Sequence, residues 1–292
     1  MKNQFKTTIL FLSILSVFNG FSQQGNNWFF GKKAGLSFNG GKPSALLSGA
    51  LDTYEGCASI SDNTGQLLFY TDGLSIWNRN NQVMPNGSGL KGNPSSSNAA
   101  IIVPKPGSKT IYYVFTADAS ENQNLNGYNY SEVDMTLNGG LGDITTNKNI
   151  LLYAPSTEKL TAVRAANGID VWVITHSWGD SGWVVYKIDC HGVNISPIKS
   201  ISGSAYTYVI NSPDPSNGRP QWNEGSVGCL KASPDGKIIA TTILTDLTLE
   251  IFNFDNTTGL ISNPVSFYYF EGYGLEFSPN SKLLYVAGER WG

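Results

Sequence analysis

Short apolar runs recur along the chain, each preceded by small residues and a polar turn. The pattern is clearest at Gly225–Thr242, GSVGCLKASPDGKIIATT, where a small-residue strand passes through Ser-Pro-Asp-Gly-Lys into an apolar strand ending in threonine. Proline pre-sets one turn dihedral, aspartate bonds its own backbone, and glycine accepts positive φ, so Ser233–Lys237 is a turn. The unit returns at Gly272–Ala287 as GYGLEFSPNSKLLYVA, with looser copies at Gly56–Thr71, Ala99–Thr116 and Leu160–Thr175. Aligned on Gly65, Ser108, Gly168, Gly236 and Ser281, the turns are spaced by 43, 60, 68 and 45 residues. All-β repeats near the shorter spacings predict a β-propeller of four-stranded antiparallel blades, the longer blades carrying insertions.

Each blade divides into strands a to d. Strand a is rich in small residues (Gly56–Ser59, Ala99-Ala100, Thr161-Ala162, Gly228-Cys229, Gly272 and Gly274), as expected where strands converge on an axis. Strand b is apolar without alternation, at Leu67–Tyr70, Ile111–Phe115, Val171–Ile174, Ile238–Ala240 and Leu283–Ala287, which predicts burial on both faces. Strand c follows at Leu74–Trp77, Tyr128–Val133, Trp183–Ile188 and Leu249–Phe254, and ends on Asn78, Asp134, Asp189 and Asp255, residues suited to turns. Trp28–Gly31, Gly35–Phe38 and Pro43–Leu46 read as strands b, c and d without their strand a, and the C-terminus as strands a and b alone. About five blades are represented, and the expectation is a C-terminally truncated propeller over residues 23–292 with six or seven blades in a full-length protein.

Met1–Ser22 has the form of a cleaved signal peptide: Lys2 and Lys6, an apolar Ile9–Phe18, and a small-x-small site at Gly20-Phe21-Ser22. The apolar run is too short for a comfortable membrane span. Without Lys2 and Lys6, 17 basic residues stand against 22 acidic ones, so the expected exported chain is mildly acidic. Charged residues are only 14%, and no basic stripe marks a nucleic-acid partner. Cys57, Cys190 and Cys229 cannot all pair within one chain; they read as three buried thiols, one internal bridge being the alternative.

Several longer strings resemble one family. They include Trp28-Phe29-Phe30-Gly31 with Ala34-Gly35-Leu36, Glu55–Asp62, Leu68–Gly73, Val83–Gly87, Ile102–Gly107, Leu137–Asp143 and Glu158–Val163. The family is the N-terminal propeller region of large surface proteins of gliding bacteria exported by the type IX route. The resemblance implies WD-like propeller repeats, a cell-surface or secreted location and an association with gliding motility. It implies no chemistry for any residue.

No catalytic motif is present: G-x-S-x-G and H-E-x-x-H are absent, and Gly40-Gly41-Lys42 lacks phosphate-loop spacing. Asp62–Gly65 and Asp255–Gly259 lack the alternating acids of a calcium loop. With only His176 and His191, no multi-histidine metal site is expected, and no cofactor. The most suggestive pattern is acidic. Glu55, Asn98, Glu158 and Glu271 stand ten residues before the aligned turns and Glu224 twelve, placing all five where strand a begins, around one mouth of the channel. They read as ring-holding acceptors of backbone N–H groups, or as a site for a cation or a hydroxyl-rich ligand. Trp178 and Trp222, in loops, are the aromatic candidates for a ligand surface. The expected function is a non-catalytic binding or adhesion module, with a protein or carbohydrate ligand. The alternative is a propeller enzyme acting on polysaccharide through the acidic mouth.

If the leader is cleaved as its pattern requires, N-terminal sequencing of exported protein should return Gln23 first. Recovery of Met1 in the exported form would defeat the leader assignment.

Overall fold

The computed structural model describes residues 23–206, 224–244, 247–268 and 272–288. Within them the chain forms six antiparallel sheets. The first holds β1 (Asn27–Phe30), β2 (Ala34–Ser37) and β3 (Ser44–Leu46). The second runs β4 (Ala58–Ser61), β5 (Leu67–Thr71), β6 (Ser75–Asn78) and β7 (Val83–Ser88). The third begins β8 (Ala100–Pro104), β9 (Ile111–Ala117), β10 (Tyr128–Asp134); its outer strand is split into β11 (Asp143–Ile144) and β12 (Ile150–Tyr153), both paired with β10. The fourth repeats that plan with β13 (Ser156–Arg164), β14 (Val171–Ser177), β15 (Gly182–Asp189), β16 (Gly192–Val193) and β17 (Ile198–Ile201). The fifth is β18 (Leu230–Ala232), β19 (Ile238–Ile243), β20 (Thr248–Asp255) and β21 (Leu260–Phe267), and the sixth β22 (Gly274–Phe277) with β23 (Leu284–Ala287).

The sheets pack in chain order through their first strands, β1 on β4, β4 on β8, β8 on β13, β13 on β18 and β18 on β22. That succession makes them blades of a propeller, as the repeat predicts. Among the described residues, no helix is long and apolar enough to cross a membrane.

The apolar second strands β5, β9, β14 and β19 are buried on both faces because each serves two interfaces. Leu283–Ala287, expected to do the same, does not: Leu284 and Val286 pack toward the fifth sheet, while Leu283 and Tyr285 are exposed. On β5, Phe69 joins the cluster shared with β9, including Val114 and Val133, while Tyr70 packs back on Phe29 of β1. On β9, Phe115 turns the other way, to Val173, Val184 and Tyr186 of the fourth sheet. On β14, Trp172 and Ile174 face Phe252 and Phe254 of the fifth. Side chains two apart share a face, so an all-apolar strand supplies two cores.

The turns behave as their sequence dictates. Ser233 Oγ accepts the amide of Ile238 at 3.0 Å and Gly236 takes φ +70°; Ser278 Oγ accepts Leu283 N at 2.9 Å in the last repeat. At the ends of the third strands, Asn78, Asp134, Asp189 and Asp255 each accept the amide two residues on, at 2.9, 2.8, 2.7 and 2.9 Å. The small residues of the first strands also have a steric cause. A Cβ on Gly56 would lie 2.1 Å from the amide nitrogen of Ala99 and 2.6 Å from the carbonyl of Ser96.

Gly56→Ala should therefore force the second and third blades apart and lower stability by about 1–3 kcal/mol, read from denaturant midpoints. An unchanged midpoint would show that the inner strands have room to spare.

Candidate functional site at the channel mouth

The start of β13 organises the mouth. Ser156, Thr157, Glu158 and Lys159 are all completely buried. The pairing of β13 with β14 shifts register between Ser156 and Leu160, which lie opposite Ser177 and Thr175. Three residues thus oppose His176 alone, and the bulge re-aims side chains at the end of the strand.

Glu158 turns toward the third blade. One carboxylate oxygen accepts Ser97 N and Ser97 Oγ, both at 2.8 Å; the other accepts Ser120 N at 2.9 Å. Burial pushes its carboxyl above the usual range, and the bonds from Ser120 and Ser97 pull against that rise. Lys159 turns toward the fifth blade, donating to the carbonyls of Thr242 at 2.7 Å, Val227 at 2.9 Å and Ser226 at 3.4 Å. Its ammonium lies 5.3 Å from the centre of the Tyr206 ring.

Ser97 passes the contact onward. Its Oγ accepts Gly228 N at 3.0 Å and lies 3.1 Å from the phenolic oxygen of Tyr273. That phenol donates to the exposed carboxylate of Glu55. Burial and the neighbouring Glu55 push the Tyr273 phenol far upward, so it stays protonated and remains a donor. Glu55, Tyr273, Ser97 and Glu158 form one polar chain from solvent to the buried start of β13. Its members come from the starts of the second, third, fourth and sixth blades, and Gly228 brings in the fifth.

Of the acidic set expected at the mouth, Glu55, Asn98 and Glu158 are brought together. Asn98 accepts Leu230 N at 3.3 Å, and Glu158 is a ring-holding acceptor, as one of the two readings required. Glu271 and Trp222 lie outside the described residues. Glu224 opens a short 3-10 helix, Glu224–Ser226, and its side chain is likewise outside them. Trp178 is corrected from an exposed aromatic to a buried one, packed with Tyr206 and Ile243 because the loop after it folds back on the blade. Cys57 and Cys229 are half-buried and unpaired, but Cys190 is exposed, since it occupies the hairpin turn between β15 and β16. Asp189, Cys190 and His191 come within 4.8 Å of one another in that turn, with one histidine among them.

Three contributors escape the sequence reading: Ser97, Lys159 and Tyr273. Tyr273 left a signal, a large aromatic between Gly272 and Gly274 where the other blades have small residues. Ser97 and Lys159 left none, because their roles arise from other blades. At the opposite end of the channel, a cavity of about 510 Å³ is lined by residues including Ile102, Lys105, Ala162, Arg164 and Ile169, with no carboxylate among the lining residues.

No family model matches the chain. No curated protein matches it significantly. Among solved structures, a candidate 6-phosphogluconolactonase from Bacteroides fragilis is similar at 12% identity and a TM-score of 0.51, covering 89% of this chain and 72% of that one. A second candidate 6-phosphogluconolactonase, from Bacteroides uniformis, gives 14% identity and a TM-score of 0.47 over 87% and 70% of the two chains. The periplasmic gluconolactonase PpgL of Pseudomonas aeruginosa gives 12% and 0.45 over 87% and 66%. At these identities the likeness is one of fold.

The expectation of a non-catalytic binding or adhesion module is thereby corrected. The finding that overturns it is the fold this chain shares with a structure named as a candidate 6-phosphogluconolactonase.

His176 generates a pH dependence. It is completely buried, and its Nδ1 lies 2.7 Å from the carbonyl of Ser177, an acceptor, which puts the ring proton there. Burial above all pushes its pKa from 6.5 down to about 3. Between those values the unfolded chain binds a proton that the folded chain excludes, so stability falls as pH drops below 6.5, by up to about 1.4 kcal/mol per unit. His176→Gln should lose less stability than wild type between about pH 7 and pH 5; parallel losses in denaturant melts would contradict the assignment.

Proposed function

We propose that the chain is a propeller enzyme that hydrolyses a sugar-derived substrate, an ester such as a lactone or a glycosidic linkage, at the acidic channel mouth. One observation carries the reading: the exposed carboxylate of Glu55, held by the protonated Tyr273 phenol at the end of a chain anchored on Glu158. The propeller shared with a protein named as a candidate lactonase supports it by analogy of fold.

In this reading Glu55 is the base. It faces solvent and can take a proton from a water molecule as that water attacks a carbonyl or anomeric carbon. Tyr273 fixes the carboxylate's orientation with its single O–H, and the proton that Glu55 takes from water passes to the leaving oxygen as that oxygen's bond to carbon breaks. Ser97 and Glu158 are positioning residues: both are buried, and their bonds hold Tyr273 against Glu55. A carboxylate beside a hydroxyl donor also suits a hydroxyl-rich substrate, which presents donors and acceptors together. An exported, cell-surface setting belongs to the same proposal, supported by the leader-like Met1–Ser22 and by the resemblance to surface propellers.

The test is a hydrolysis assay against aldonolactones, chromogenic glycosides and soluble polysaccharides. Activity on at least one class should fall roughly 100- to 10,000-fold in Glu55→Gln and less in Tyr273→Phe, with both variants melting near wild type. Inactivity of the wild type on all three classes, or full activity of Glu55→Gln, would refute the proposal.

A further inference from the structure

The loop between β9 and β10 closes over a second polar site, which the hydrolytic reading does not use. Asp118 follows β9 directly and has no solvent exposure. One of its oxygens, Oδ2, accepts Asn126 N and Asn122 Nδ2, both at 2.7 Å. The other, Oδ1, is buried with no partner within the protein. No lysine, arginine or histidine forms an ion pair with it among the described residues. A buried carboxylate without a countercharge is costly, and the free oxygen marks where compensation is missing.

Three neighbours carry the same mark. Asn129 is completely buried; its Nδ2 donates to Asn126 O at 2.7 Å and its Oδ1 has no partner. Asp118 and Asn129 therefore clasp the same residue, Asn126, through its N–H and its carbonyl, each leaving an oxygen over. Thr116 stands opposite Asn129 in the β9–β10 ladder, two residues before Asp118 and so on the same face, and its Oγ1 is also buried and unpartnered. Asn124 is held inside the loop, its amide donating to Ala119 O at 3.1 Å and its carbonyl accepting Gly127 N at 3.0 Å. Neither polar atom of its buried side chain has a partner.

We propose that Thr116, Asp118, Asn124 and Asn129 bind a hard, oxygen-preferring cation beneath this loop, calcium being the fitting class. The donor set contains one carboxylate, two amide oxygens and a hydroxyl, with no nitrogen or sulfur donor that a softer metal would prefer. The ion supplies the charge that Asp118 lacks. It also ties the end of β9 to the start of β10 through a loop that crosses into positive φ at Gln123 and Asn124. Ser120 of the same loop donates to Glu158, so the ion steadies one of that residue's acceptor contacts from behind.

The test uses the full chain, stripped with chelator and titrated with calcium chloride by calorimetry and thermal melting. Magnesium and sodium chlorides at matched ionic strength serve as the comparison arms. We expect one saturable calcium site per chain and a melting temperature that rises with its occupancy, on the order of 5 °C at one hundred times Kd. Asp118→Ala should abolish both. Asn124→Asp, which adds a second carboxylate, should tighten calcium at least about tenfold and guards against an Asp118 variant that does not fold. Saturable binding of magnesium or sodium in place of calcium would keep the cation site and correct its class. The proposal is overturned if no cation gives a saturable response, which would leave the pocket to water alone. Asn124→Asp leaving affinity unchanged overturns it equally.

Discussion

Two adjacent residues, Glu158 and Lys159, hold the third, fourth and fifth blades in one frame. Within the bulge at the start of β13 the two neighbouring side chains are aimed at different blades, so a carboxylate and an ammonium side by side reach different partners. The carboxylate gathers donors from Ser97 and Ser120, and the ammonium gathers acceptors from Ser226, Val227 and Thr242. Both charges are buried, and such groups are tolerable only when their hydrogen-bonding capacity is filled. The geometry of the mouth follows from this. Ser97 is fixed by Glu158, Gly228 and Tyr273 meet at Ser97, and Glu55 is held by Tyr273.

Much of the architecture was legible in the chain because propeller blades repeat local rules. The turn at Ser233–Lys237 and its relatives, the aspartate or asparagine closing each third strand, and the two-faced apolar second strands are decided by neighbours close in sequence. The mouth was only partly legible. Repeat alignment located Glu55, Asn98 and Glu158 because they share an offset from the turn, but it could not show what each faces. Lys159 looked like any lysine on a strand; its burial depends on carbonyls about seventy to eighty residues away. Trp178 looked like a loop aromatic, and only the packing of Tyr206 and Ile243 around it makes it core.

The same limit applies to a search for short motifs. A motif search finds chemistry carried by one segment. Here the polar chain from Glu55 to Glu158 draws on side chains from the starts of four blades, each unremarkable alone. Propeller axes favour such composite sites, since every blade delivers the start of its inner strand to one circle. Carboxylates there are sorted by environment: Glu158 is sealed and structural, whereas Glu55 remains in contact with water.

The bond between Tyr273 and Glu55 joins residues 218 positions apart. Ribosomal synthesis runs in one direction, so a nascent chain carries Glu55, Ser97 and Glu158 long before it carries the phenol. Until the sixth sheet emerges and docks, the mouth lacks the group that aims its exposed carboxylate. Bringing such distant positions together is among the slowest kinds of contact a chain makes. Assembly of this site therefore reports docking of the sixth sheet: a chain that stops before Tyr273 holds the anchor without the phenol that aims Glu55.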